Sequence, residues 1–117
     1  MSDDVCALVG GVGGAGTTRL ALEFGATLAA DGHSVLVVDA SYATQGLVTA
    51  CRERVDPDLT RVVTDDRPLA AATYDREVPV GRLVLAPARA PFERLSRAKT
   101  SECARRLAGR IGEAARE

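Results

Sequence analysis

The sequence predicts a single α/β domain over residues 1–117, a Rossmann-like parallel sheet with helices on both faces. Three observations carry that expectation. An apolar run at 5–9 reads as a buried strand and breaks into the glycine-rich stretch GGVGGAG at 10–16. A helical pattern starts at once at Thr17 or Thr18 and runs to about Asp31, where Gly32 supplies a stop. A second apolar run at 35–38 makes another buried strand and ends on Asp39. Together these spell a βαβ unit.

A glycine loop that feeds a helix N-terminus is an anion site. Without Cβ atoms the backbone curls round a phosphate, and free amides and the helix dipole point at it. Four of the six residues from Gly11 to Gly16 are glycine, each costing up to about 1 kcal/mol of backbone entropy relative to alanine. Close approach of a ligand to that backbone explains the expense. Two fingerprints overlap here: Gly11, Gly13 and Gly16 satisfy G-x-G-x-x-G, while 11–18 satisfies G-x-x-x-x-G-K-[ST] except that Thr17 replaces the lysine. The acidic residue that holds a dinucleotide's ribose lies about 20 residues beyond the glycines, and Asp39 comes 23 after Gly16. That spacing is late for a ribose contact.

The run Gly13, Gly14, Ala15, Gly16, Thr17, Thr18 followed by LALEFGATLAADGHSVLVVDA resembles the start of a ParA/MinD-type P-loop ATPase, whose pattern is K-G-G-x-G-K-[ST]-T, a helix, then G-H-x-V-L-L-V-D-x-D. Register holds without a gap from Val12 to Ser41, and VGRLVLAPARAP resembles the family's third strand and its proline-marked exit. The resemblance implies a three-layer P-loop NTPase-like fold, cut short at Glu117 before the Walker B strand. It implies an ATP or ADP site on Gly11, Gly13, Gly14, Ala15, Gly16, Thr17 and Thr18, with Mg²⁺ on the Thr18 hydroxyl. Asp39 matches the family aspartate that positions water and metal, which is the catalytic role the resemblance assigns to it.

The departures bear on activity. The P-loop lysine is Thr17, the family's signature lysine falls on Val12, and the next family aspartate is Ser41. Phosphoryl transfer relies on cations to stabilise transition-state charge, and one lost donor costs about 3 kcal/mol. The expected protein therefore binds nucleotide and hydrolyses it feebly or not at all. The resemblance implies a role in chromosome or plasmid partitioning or division-site placement, with a second copy or a ParA/MinD-like relative as partner. A Rossmann-type NAD(P) module, with Gly11, Gly13 and Gly16 on the pyrophosphate and Asp39 on a ribose, is one alternative. A non-binding pseudo-ATPase interaction domain is the other.

Composition narrows the classes. A net charge of −1 and a pI near 5.8 carry no pull toward nucleic acid or acidic lipid. No apolar run reaches membrane-spanning length, and the acidic start MSDDV is unlike a signal peptide, so a cytoplasmic location is expected. Cys6, Cys51 and Cys103 lack C-x-x-C spacing and read as buried or half-buried thiols, Cys6 within the first strand. His33 reads as a turn residue.

Elsewhere, 1–4 is expected to fray. In the first helix Leu20, Ala21, Phe24, Leu28 and Ala29 are expected to pack on the sheet, while Arg19 and Glu23 face water. The segment 40–46 is a polar loop or a phosphate-sensing switch, and 47–54 makes a short helix. Asp65 to Pro68 read as the cap of another short helix over 69–73. Residues 82–86 form the third buried strand and 92–99 a linker or helical turn; the resemblance makes Arg89, beyond that strand, a better substitute cation than Arg19 or Arg82. A last helix capped by Thr100 or Ser101 carries Ala104, Leu107, Ala108, Ile111 and Ala115 on one face. That stripe is mostly alanine, too small for a membrane anchor.

Overall fold

The first helix, α1 (Thr17–Ala30), follows the glycine loop as the pattern requires. Its end is a Schellman turn: the Gly32 amide donates to Ala29 O at 2.9 Å and the His33 amide to Leu28 O at 3.1 Å, with Gly32 at φ +92°. The computed structural model describes residues 4–9, 16–42 and 44–115. Strand β1 (Ser34–Val38) follows, then a 3₁₀ helix (Gly46–Ala50), α2 (Leu59–Thr64), a second 3₁₀ helix (Leu69–Ala72), β2 (Tyr74–Arg76), β3 (Arg82–Ala86), α3 (Phe92–Ala98) and α4 (Ser101–Ala115).

The sheet has three strands in the order β1-β3-β2. β1 and β3 run parallel, with Val35 opposite Leu83 and Val37 opposite Leu85, whereas β2 is antiparallel to β3. Alternation along β1 builds two cores. Val35 and Val37 pack with Leu83, Leu85, Leu22 and Ala29 on the α1 side. Leu36 and Val38 join Leu59, Val62, Val63, Cys103 and Leu107 on the side of α2 and α4. Helices therefore cover both faces of a small mixed sheet.

Three expectations are corrected. Residues 5–9 are not a strand: they are irregular, with Val5 64% and Val9 88% exposed, and Cys6 is exposed rather than core. The sheet is ordered β1-β3-β2, and residues 5–9 add to neither of its outer edges. An apolar run becomes a strand only where a partner takes its N–H and C=O groups. The sheet is accordingly mixed, not parallel throughout.

The contact face of α1 is also turned. Leu20 and Phe24 are 56% and 45% exposed, and the buried residues are Gly25 and Ala29. A Cβ on Gly25 would come within 3.1 Å of Val37 Cγ2 and 3.2 Å of Leu83 Cδ1. The bare glycine lets the helix axis approach the sheet and sets its rotation. Likewise α4 buries Cys103 and Leu107, with Ile111 and Ala114 partly covered, and leaves Ala104 and Ala108 exposed. Cys103 donates from Sγ to Val63 O at 3.2 Å and to Arg97 O at 3.3 Å, which ties α4 to α2 and α3.

Asp65 and Asp66 do not cap the helix at Leu69–Ala72, which starts after Pro68 with no side-chain cap. Asp65 pairs with Arg61 at 3.2 Å and Asp66 with Arg110 at 2.8 Å. The capped helix in this region is α2, unanticipated, whose first turn is closed by the Asp58 carboxylate accepting from the Thr60 amide.

Candidate functional site

Gly11, Gly13, Gly14 and Ala15 of the anticipated phosphate loop lie outside the described residues. Gly16 is the N-cap of α1, left-handed at φ +78°, with no side-chain cap and no acidic residue in the first turn behind it. Its carbonyl accepts from the Leu20 amide at 3.0 Å. Thr17 and Thr18 occupy that first turn, both half-buried. The opening amides of α1 thus have no capping side chain among the described residues.

Asp39 sits just past the carboxyl end of β1 and is 7% exposed. Its amide donates to Ala86 O at 3.1 Å, extending the β1–β3 ladder. Oδ1 accepts from the Ser41 amide at 2.9 Å and Oδ2 from the Leu47 amide at 3.1 Å. A carboxylate used this way folds loop 41–47 back over the strand end. One consequence lies next door: a Cβ built on Gly46 would stand 2.8 Å from Thr18 Oγ1. The fold therefore brings Thr18 and the loop held by Asp39 into contact, a juxtaposition the sequence did not reveal.

The loop after β3 joins the same end of the sheet. The Gln45 side chain donates to Ala90 O at 3.0 Å and accepts from the Ala90 amide at 3.1 Å. Asp58, 2% exposed, accepts from the Arg89 amide at 2.7 Å and pairs with Arg94 at 3.5 Å. Arg94 in turn donates to Thr60 Oγ1 at 3.1 Å and to Arg89 O at 3.3 Å. Asp58 and Arg94 were missed from sequence, and Gln45 was read only as one residue of the polar 40–46 segment. The Asp58-Leu59-Thr60 capping pattern was the available signal; nothing local marks Gln45.

The substitute cations divide. Arg19 pairs with Glu23 at 3.1 Å, as expected of two exposed residues one helical turn apart, and Arg82 pairs with Asp75 at 3.3 Å at the opposite end of β3. Arg89 lies in the exposed loop beyond the carboxyl end of β3, and its guanidinium has no partner among the described residues. Among the described residues no three His, Cys, Asp or Glu side chains gather as a metal site. His33 is an exposed turn residue whose carbonyl accepts from the Arg82 amide. Burial, reinforced by Glu53, pushes the half-buried Cys51 thiol up, away from thiolate chemistry.

Tyr42, three residues past Asp39, is 9% exposed. Burial first, then the neighbouring acids Cys103, Asp58 and Asp39, push its phenol up to about 12. A phenol raised in the folded state stabilises fully below the unfolded value near 10 and loses that contribution as pH climbs through the folded value. Stability is therefore expected to fall by on the order of 2 kcal/mol between pH 10 and pH 12. Denaturant melts across that window check it, and a Tyr42→Phe protein should lack that part of the decline.

The comparisons with known proteins add no constraint. No protein-family model matches the chain, and no curated protein or solved structure matches it. Among the described residues no helix is long and apolar enough to cross a membrane.

Proposed function

We propose that the protein binds an adenine nucleotide, ATP or ADP, with its phosphates at the N-terminus of α1, and acts as a ParA/MinD-like positioning or partitioning component rather than a competent ATPase. The observation that carries the reading is the uncapped first turn of α1, opened by left-handed Gly16 and set against the loop that Asp39 folds at the carboxyl end of β1. Ligands of open α/β sheets collect outside the carboxyl ends of parallel strands, and helix N-termini favour phosphate. The residues fit the phosphate group on that count. Thr18 supplies the hydroxyl a nucleotide-bound Mg²⁺ would use, while Asp39, already engaged by two amides, adds no free carboxylate. Thr17 brings no charge, so γ-phosphate transfer lacks its cation. A cytoplasmic protein that pairs with a second copy or an active relative fits this chemistry.

The dinucleotide reading is weaker, since a ribose contact needs an accessible acid and Asp39 is buried with both oxygens occupied. Melting in the presence of ATP, ADP, NADH and NADPH separates the readings. Nucleotide at 100 times its Kd stabilises by about 2.7 kcal/mol, so the adenine nucleotides should raise the Tm and the nicotinamide ones should not. An unmoved Tm at millimolar ATP and ADP leaves a non-binding domain. Thr17→Lys is expected to raise ATP affinity about tenfold or more, about 1.4 kcal/mol, read by calorimetric titration. An unchanged affinity would mean that the loop does not cradle phosphate.

A further inference from the structure

The two edges of the sheet differ. β2, at one edge, is three residues long and carries Asp75 and Arg76, the short, charged form that discourages further pairing. β1, at the other, is the uncharged run SVLVV, and its four apolar residues are only partly covered, whereas Leu83, Leu85 and Ala86 of β3 are buried. The Arg82 amide donates to His33 O and the Asp39 amide to Ala86 O. In this parallel pair the odd-numbered residues of 33–39 therefore turn their backbone groups to β3, and Ser34, Leu36 and Val38 turn theirs outward. Among the described residues nothing takes up those outward groups.

The helix above this edge is apolar on the same side. Successive helical residues turn by about 100°. With Gly25 set against Val37 and Leu83, Thr18 and Leu22 fall on the flank toward Gly46 and Leu47, and Phe24 falls on the other flank, beyond β1. Phe24 is 45% exposed and Leu20, farther round that flank, 56%. Arg19 and Glu23, the charged residues of α1, lie away from it. An open strand edge and an open apolar helix flank thus lie side by side.

We propose that β1 pairs with β1 of a second copy, antiparallel about a two-fold axis, giving one continuous sheet with the two α1 helices packed on one face. Leu36 meets its own mate and Ser34 meets the partner's Val38, the register that sets every outward residue against another. A second copy is the occupant because the geometry closes on itself. A Cβ on Gly25 would stand 3.1 Å from Val37 Cγ2, 3.2 Å from Leu83 Cδ1 and 3.5 Å from Val35 Cγ1, so α1 runs between β1 and β3, level with Leu36. Its axis is then about half a strand spacing inside β1, and one further spacing to the mate puts the two α1 axes about 10 Å apart, the distance at which helices pack. Phe24, beside Gly25, falls near the axis against its own mate. This surface deepens the pairing with a second copy named in the proposed function but rests on the sheet edge alone. Measured without nucleotide, its failure leaves the nucleotide reading standing, and the reverse holds.

Sedimentation equilibrium of the full chain, without nucleotide, tests it between about 1 μM and about 1 mM. The 12.2 kDa monomer is expected to give way to a species of twice its mass. Phe24→Glu and Phe24→Lys, which set like charges face to face at the axis, should each weaken the dimer about a hundredfold or more, and an equal mixture of the two should associate again as a heterodimer. Ser34→Pro removes an outward amide that bonds nothing within the chain and should weaken the dimer about tenfold. Phe92→Glu, at a residue of α3 that is 79% exposed, should leave it unchanged. The proposal is overturned if the chain stays monomeric throughout, if Ser34→Pro and the Phe24 variants weaken the dimer no more than Phe92→Glu does, or if the mixed Phe24 variants fail to associate. It is equally overturned if a Val5→Asp, Val9→Asp double variant abolishes the dimer, which would make the exposed run 5–9 the strand that adds.

Discussion

Gly81→Ala is expected to unfold the protein or to lower its Tm by about 15 °C or more. Gly81 precedes β3 at φ +69°, and an added Cβ would stand 2.2 Å from Ala29 O and 2.6 Å from His33 O. Neither oxygen can yield. Ala29 O receives the Gly32 amide that closes α1, and His33 O receives the Arg82 amide that starts β3. The left-handed conformation alone costs an alanine about 1–2 kcal/mol, and a clash with fixed backbone adds about 1–3 kcal/mol or more. A domain of this size has only about 5–15 kcal/mol to lose. Gly32→Ala is the control: Gly32 is also left-handed, at φ +92°, but nothing lies within 4 Å of its Cβ position, so its cost is expected to stop at about 1–2 kcal/mol. Thermal melts that place the two variants together would refute the close approach at Gly81.

Asp58→Ala comes second, with an expected loss of about 3–5 kcal/mol. The carboxylate is 2% exposed and accepts from the Thr60 amide at 3.2 Å, the Thr60 hydroxyl at 2.8 Å and the Arg89 amide at 2.7 Å, with Arg94 at 3.5 Å. Removing it uncaps α2 and strands a guanidinium whose side chain is only 15% exposed. An unpaired buried charge is what makes such deletions severe. Asp58→Asn keeps the acceptor oxygen and loses the charge, so an intermediate loss is expected, about 1–2 kcal/mol. The double variant Asp58→Asn with Arg94→Met should recover part of that loss. If urea melts give Asp58→Ala a loss below about 1 kcal/mol, in the range of an ordinary exposed helix cap, the buried network contributes little to stability. The same deletion frees the Arg89 amide, so it should also loosen the loop beyond β3.

Much of the α1–β1 unit was legible because its signals are local. Gly32 stops α1, Ser34–Val38 and Arg82–Ala86 are apolar runs bounded by turn residues, and Thr100 caps α4. The placement of Asp39 at a strand end follows from the same signals, whereas the contact between Thr18 and Gly46 appears only in the fold. The partners of Asp39 were less visible. Its oxygens bind amides two and eight residues ahead, and only a folded loop brings the second within reach. Gln45 and Ala90 are 45 residues apart and meet because β1 and β3 are neighbours.

By itself the sequence determined which segments are helical or extended near Gly16, Gly32, Pro87 and Thr100, since glycine, proline and capping hydroxyls act on their own few residues. Tertiary structure decided which apolar runs become strands and which helix faces are buried. Residues 5–9 are as apolar as β1, yet they join neither edge of the β1-β3-β2 sheet. Gly25 rotates α1 against Val37 and Leu83 in a way that counting apolar positions does not anticipate. Strand pairing and helix packing depend on partners and space supplied by other segments, and neither is a property of any one segment.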